Sequence, residues 1–149
     1  MESDIRDAFE TWSKIAQGKI SFQYVSTAKE ANVVIAWTAS KKNLHNPTES
    51  GETTVSYATT GDAKRTLQNP GDINGAKITF VLVDIDNKPW GPGGLRPVAM
   101  HEIGHSLGLM GHSTDDGDIM YTQKNSVSEP SARDVNTLFA LYKSVFSGH

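Results

Sequence analysis

The stretch His101-Glu102-Ile103-Gly104-His105-Ser106-Leu107-Gly108-Leu109-Met110-Gly111-His112 leaves this chain little local freedom. Residues i and i+4 of a helix share a face one turn apart, so His101 and His105 aim their imidazoles at one point. Neutral imidazole nitrogens are natural zinc ligands. Glu102 stands beside the first ligand, where it can reach a water at the ion without ligating the ion. Gly108 offers a helix stop, because glycine takes the left-handed conformation at low steric cost. The chain can then turn back and bring His112 to the same ion. Three protein ligands leave one tetrahedral position for water, which marks a catalytic site rather than a closed structural one. A bare His-Glu-x-x-His also arises by chance on amphipathic helices, as a solvated face. Here three of the chain's five histidines fall in this stretch, and a methionine follows in Asp118-Ile119-Met120-Tyr121. The clustering favours a metal site.

The 149 residues suit one domain able to bury a real core. A hydrophobic fraction of 37% and a charged fraction of 21% are ordinary for a globular protein. The net charge of -3, without a basic run, argues against a nucleic-acid partner. Without cysteine no disulfide forms, and no thiolate can ligate or cap a metal. No apolar run reaches the roughly 18 residues of a membrane span. The acidic start Met1-Glu2-Ser3-Asp4 does not read as a signal peptide.

Ile5, Ala8, Phe9, Trp12, Ile15 and Ala16 recur at helical steps, predicting an amphipathic helix over about 3–17 with Ser3 as N-cap and Gly18 as stop. Ile20, Phe22 and Tyr24 alternate with polar residues, as in a half-buried strand. Val33-Val34-Ile35-Ala36-Trp37 reads as a strand buried on both faces. A polar loop over 38–52 leads to a strand from Thr53 to Thr59, and a second loop is expected over 60–76. Ile78 to Val83 forms the next strand, and Trp90-Gly91-Pro92-Gly93-Gly94 is a connector. Pro97 suits the first turn of the histidine-bearing helix, whose core side would be Val98, Ala99, Ile103 and Leu107. After a loop over 122–127, Ser131-Ala132-Arg133-Asp134 offers a capping box. It opens a helix with Val135, Leu138, Phe139, Leu141, Tyr142, Val145 and Phe146 as its core stripe.

The histidine stretch resembles the metzincin zinc endopeptidases, and among them the matrixins, the matrix-metalloproteinase-like group. Their signature is His-Glu-x-x-His-x-x-Gly-x-x-His followed by a Met-turn. His101 to Gly108 fits it, but one extra residue, Met110 or Gly111, stands before His112. The run from His112 to Tyr121 is otherwise similar to the matrixin run from third ligand to Met-turn. Ile5 to Ser13 and Ala31 to Ile35 also resemble the start of a matrixin catalytic domain. Matrixins usually carry a strand before that helix; this sequence begins at the helix, so the strand is expected to be missing or cut off.

The resemblance implies an α+β metzincin fold over 1–149, as a single catalytic domain. Its parts would be a twisted, mostly parallel sheet with an antiparallel edge strand, an active-site helix and a C-terminal helix. It implies Met120 packed beneath the metal. It makes Thr53, Thr54, Val55, Ser56 and Tyr57 the edge strand that pairs with an extended substrate. Asp84-Ile85-Asp86-Asn87-Lys88-Pro89-Trp90 is similar to the family's calcium-binding turn, with Asp84 and Asp86 as possible Ca2+ ligands; a solvated acidic turn is the other reading. No second zinc is expected, because only His45 precedes the active helix and Leu82-Val83 stand before the acidic turn. Thr122-Gln123-Lys124 replaces the family's proline-containing specificity wall, so no side-chain preference is borrowed. Family resemblance further implies an extracellular, monomeric protein acting on protein or peptide.

The chemistry expected is peptide hydrolysis with one catalytic Zn2+ held by His101, His105 and His112, and with Glu102 as general base. Two other readings compete. One is a non-catalytic zinc-binding module that keeps the metzincin fold, which would have no need of Glu102. The other is a zinc hydrolase acting on a small amide.

Overall fold

In the computed structural model, which describes residues 1–57, 73–84, 86–123 and 126–143, the first helix α1 spans Glu2–Ile15. It begins one residue earlier than expected. Ser3 lies inside it, its hydroxyl on Asp4 at 3.3 Å, and is no cap. Ile5, Ala8, Phe9 and Trp12 are buried along one face, and the helix gives way to Gly18 at φ 72°. The alternating Ile20–Tyr24 segment forms no strand. Ile20 and Phe22 pack against the core instead, the Phe22 ring 4.6 Å from Phe9 on α1, whereas Tyr24 stays exposed with Arg6 over its ring at 4.2 Å. Alternation reported the packed side for Ile20 and Phe22 but not for Tyr24, and a ladder needs a partner strand, whose place α1 fills.

Among the described residues three strands make one sheet in the order β1-β3-β2: β1 Val33–Thr38, β2 Gly51–Tyr57 and β3 Ile73–Val81. β1 runs parallel to β3 and β2 antiparallel to it, the mixed sheet expected. Two strand expectations need correction. β1 is an edge of this sheet rather than buried on both faces, and Trp37 is exposed. β3 starts at Ile73, so the end of the loop expected over 60–76, with its turn-like pair Asn74-Gly75, is strand instead. The pairing shifts register between Ser56 and Tyr57, opposite Gly75, where a Cβ would sit 2.8 Å from Ser56 Oγ. An irregular ladder without a side chain explains the turn-like dipeptide. The strand expectation at 58–59 and the loop over 60–72 lie outside the described residues.

The next helix, α2, spans Arg96–Ser106 with Pro97 in its first turn. It packs on α1 and across β2 and β3. Two polar groups of α1 fix it: buried Asp4 Oδ2 accepts from Leu95 N–H at 3.2 Å, and Trp12 Nε1 donates to Met100 O at 3.0 Å. Ala99, Ile103 and Leu107 face the core as expected, with Met100 beside them; Val98 is only partly buried. The last described helix, α3, spans Ala132–Leu141 and opens on the predicted capping box of Ser131 and Asp134. Leu138 is fully buried, whereas Leu141 is exposed, and Val145 and Phe146 lie outside the described residues. Together the helices and sheet satisfy the α+β metzincin expectation.

Candidate active site

His101 and His105 lie one turn apart on α2, and their Nε2 atoms are 3.0 Å from each other. The helix ends at Ser106, and Gly108 takes φ 97°, the left-handed backbone anticipated for a helix stop. Leu109 N–H then returns to Gly104 O at 3.1 Å and Met110 N–H to Gly108 O at 2.8 Å. Met110 and Gly111 are exposed, so the extra residue swells the loop outward and leaves His112 beside the other two imidazoles. His112 comes back with Nε2 3.2 Å from Nε2 of both other rings.

These three nitrogens fit a metal on their own chemistry. His101 Nδ1 lies 2.8 Å from Ile119 O, and His105 Nδ1 lies 2.7 Å from Leu109 O. A carbonyl oxygen only accepts, so each Nδ1 carries the proton and each Nε2 of a neutral ring presents a lone pair. Lone pairs this close repel one another unless a cation lies among them. Burial drives His105 down to about 4, with the charge of His101 acting in the same direction. Burial also lowers His101. Neutral rings near pH 7 therefore welcome a metal ion without competition from protons. Zinc–nitrogen bonds of about 2.0–2.1 Å place tetrahedral ligand atoms about 3.4 Å apart, close to the spacing seen here. Among the described residues no other group of three His, Cys, Asp or Glu is close enough to share an ion.

Glu102 turns to the same cleft, a cavity of about 500 Å³ bounded by α2, the start of β2 and the loop after His112. It is 6% exposed, and Thr53 Oγ1 lies 2.7 Å from its Oε2. Burial pushes its carboxyl up to about 7; the Thr53 hydrogen bond opposes the shift, and the charges of Glu49 and Glu52 add to it. A carboxyl poised near neutrality can both accept and return a proton.

The turn containing Met120 is held from α3. Asp134 Oδ2 accepts from Ile119 N–H and from Ser131 N–H, both at 2.8 Å. Ile119 accepts from His101 Nδ1 through its carbonyl oxygen, so one residue joins the α3 cap to that imidazole. Met120 is buried, and a Cβ on Gly104 would lie 2.7 Å from its Sδ and 3.3 Å from Trp12 Cζ2. The glycine inside the histidine motif is what lets the thioether close under the helix. Gly104→Val is expected to lower stability by about 2 kcal/mol through overpacking, read as an earlier urea midpoint at unchanged slope.

Of the residues expected to meet substrate, Thr53 lines the cleft, whereas Thr54, Val55, Ser56 and Tyr57 do not. The lining runs instead back from Thr53 through Gly51 to Thr48. Asp84 Oδ1 accepts from Asp86 N–H and Lys88 N–H at 2.9 Å and so closes its own turn, with Asp86 exposed. His45 is an exposed residue, its Nδ1 2.8 Å from Glu52 Oε2. Tyr121, Thr122 and Gln123 line the cleft, while Lys124 lies outside the described residues. Sequence reasoning missed two small-residue contacts, Gly104 on Met120 and Gly51 on Glu102. The first had a signal, a glycine inside a helix; the second had none.

The matrixin family model matches residues 1–143. Interstitial collagenase of the rabbit, Oryctolagus cuniculus, is 31% identical over 121 residues, which is 81% of this chain and 23% of that protein. The chain thus spans less than a quarter of the length of the curated relative it matches.

Proposed function

The chain belongs to the matrixin family, and from that premise we propose that it is a zinc-dependent endopeptidase acting on proteins and peptides. The observation that carries the reading is the convergence of three Nε2 atoms, each 3.0–3.2 Å from the others, beside a buried carboxyl at one cleft. His101, His105 and His112 would hold the ion through Nε2. Zinc, when bound, supplies Lewis acidity, which polarises the scissile carbonyl and makes water acidic enough to attack near neutral pH. Glu102 takes the proton of the attacking water and passes it to the leaving amine nitrogen. The edge of β2 beginning at Gly51–Thr53 receives the substrate as an added strand, with backbone hydrogen bonds supplying much of the affinity. Peptide hydrolysis is what carries over from the rabbit protein; collagen as substrate is not assigned. Family membership supports work outside the cell.

The test loads the full chain with zinc, measures metal content, and follows cleavage of casein and a set of quenched peptides. The expected result is one zinc per chain, cleavage that stops with 1,10-phenanthroline, and recovery on adding zinc back. Stoichiometric zinc without cleavage of any of these substrates would instead support the non-catalytic module. Cleavage that survives complete removal of metal would remove the reading altogether.

A further inference from the structure

β2 meets the general base at two places. Gly51 and Thr53 are two residues apart on one strand and so share a face, and that face lies against Glu102. At Gly51 a Cβ would fall 2.9 Å from Glu102 Cγ and 3.2 Å from Glu102 Oε1. The missing side chain is therefore the space in which the carboxyl sits. At Thr53 the hydroxyl lies 2.7 Å from Glu102 Oε2 and 2.9 Å from Glu102 O. A hydroxyl has one proton to donate, and of these two acceptors the carboxylate is the stronger. Thr53 is itself held by the ladder, opposite Ile78 of β3, so the donor is fixed by the sheet rather than by its own rotamer alone.

We propose that Thr53 is a positioning residue for the general base: its hydroxyl ties Glu102 Oε2 to β2, while Gly51 keeps the room the carboxyl occupies. The same strand that would receive the substrate then also sets the position of the base, so peptide and proton acceptor share one frame. This inference rests on the endopeptidase reading for its kinetic consequence, but not for its structural one. A carboxyl free to rotate would spend much of its time out of reach of the attacking water, and misplacement by about 1 Å lowers rates by up to roughly 10²-fold.

Two measurements test it. The first uses metal-free protein and needs no activity: a thermal double-mutant cycle with Thr53→Val, Glu102→Ala and the pair. Thr53→Val is expected to lower the midpoint by about 5 °C in the parent and by about 2 °C in the Glu102→Ala background, where the backbone oxygen of residue 102 remains as an acceptor. Equal shifts in both backgrounds would overturn the proposal. The second uses zinc-loaded protein. Thr53→Val should lower kcat about 10-fold with KM and zinc content nearly unchanged, and Thr53→Ser should restore most of kcat. Full activity in Thr53→Val, or no recovery in Thr53→Ser, would count against the role. Should Thr53→Val fold poorly, Thr53→Ala replaces it in both measurements. If zinc-loaded parent protein cleaves nothing, the endopeptidase reading fails while the thermal cycle still decides whether Thr53 holds Glu102.

Discussion

Glu102→Gln is expected to lower turnover of the zinc-loaded protein by about 10³-fold while leaving zinc bound at one per chain. Glutamine keeps the shape of the carboxyl and can still accept from Thr53, but it cannot take a proton at neutral pH. The ligand nitrogens belong to other side chains, so metal content should not change. The same substitution is expected to stabilise the metal-free protein, and the sign follows from burial. Glu102 is raised from 4.5 in the unfolded chain to about 7 in the fold. Below pH 4.5 both states hold the proton and nothing is lost. Between 4.5 and 7 the unfolded chain releases it first, so stability falls as pH rises. Above 7 the penalty is complete, about 3 kcal/mol for a shift of this size. Glutamine carries no such penalty. Chelated Glu102→Gln should therefore exceed chelated parent by about 3 kcal/mol at pH 8 and match it below pH 4.5. Urea unfolding at the two pH values measures the difference. A variant that keeps parental turnover would remove Glu102 from the mechanism; one that is no more stable at pH 8 would remove the strain argument.

Trp12→Ala is expected to destabilise the fold by about 4 kcal/mol, a large share of the stability of a single domain. Trp12 is fully buried between the helices, and its indole N–H donates across to Met100 O on α2. It also forms part of the floor at Gly104, together with Met120. The loss should therefore reach the metal site. Zinc should still bind, but it should protect the variant less against thermal unfolding, because α2 and the turn beneath it are held less firmly. Trp12→Phe keeps most of the apolar volume and removes only the hydrogen bond, so about 1–2 kcal/mol is expected there. Equilibrium unfolding of the three proteins, with and without zinc, gives both numbers. A Trp12→Ala protein as stable as the parent would mean that α1 does not anchor α2 through this residue.

The local code alone determined the elements whose information is short-range. A four-residue histidine step, a proline in the first turn and Gly108 at the stop specified α2 and the shared face of His101 and His105, because helical periodicity depends only on neighbours along the chain. Ser131 and Asp134 specified the start of α3 for the same reason. The pattern of Ile20, Phe22 and Tyr24 was legible as a packed side only for its first two residues and misleading as a strand, since alternation does not say what element covers a side chain. Tertiary structure decided the rest. Whether His112 returned to the other two imidazoles past an extra residue depended on how the loop was closed, and Gly108, with Met110 and Gly111 turned outward, closed it. The partners of Glu102 at Gly51 and Thr53 lie about fifty residues away in sequence, on a strand whose register is set by pairing with β3. So does the join from Asp134 through Ile119 to His101, where each residue is ordinary in its own segment. Side-chain types and their spacing are properties of the chain, whereas the distance between the Glu102 carboxyl and the Thr53 hydroxyl is a property of how helix and sheet pack.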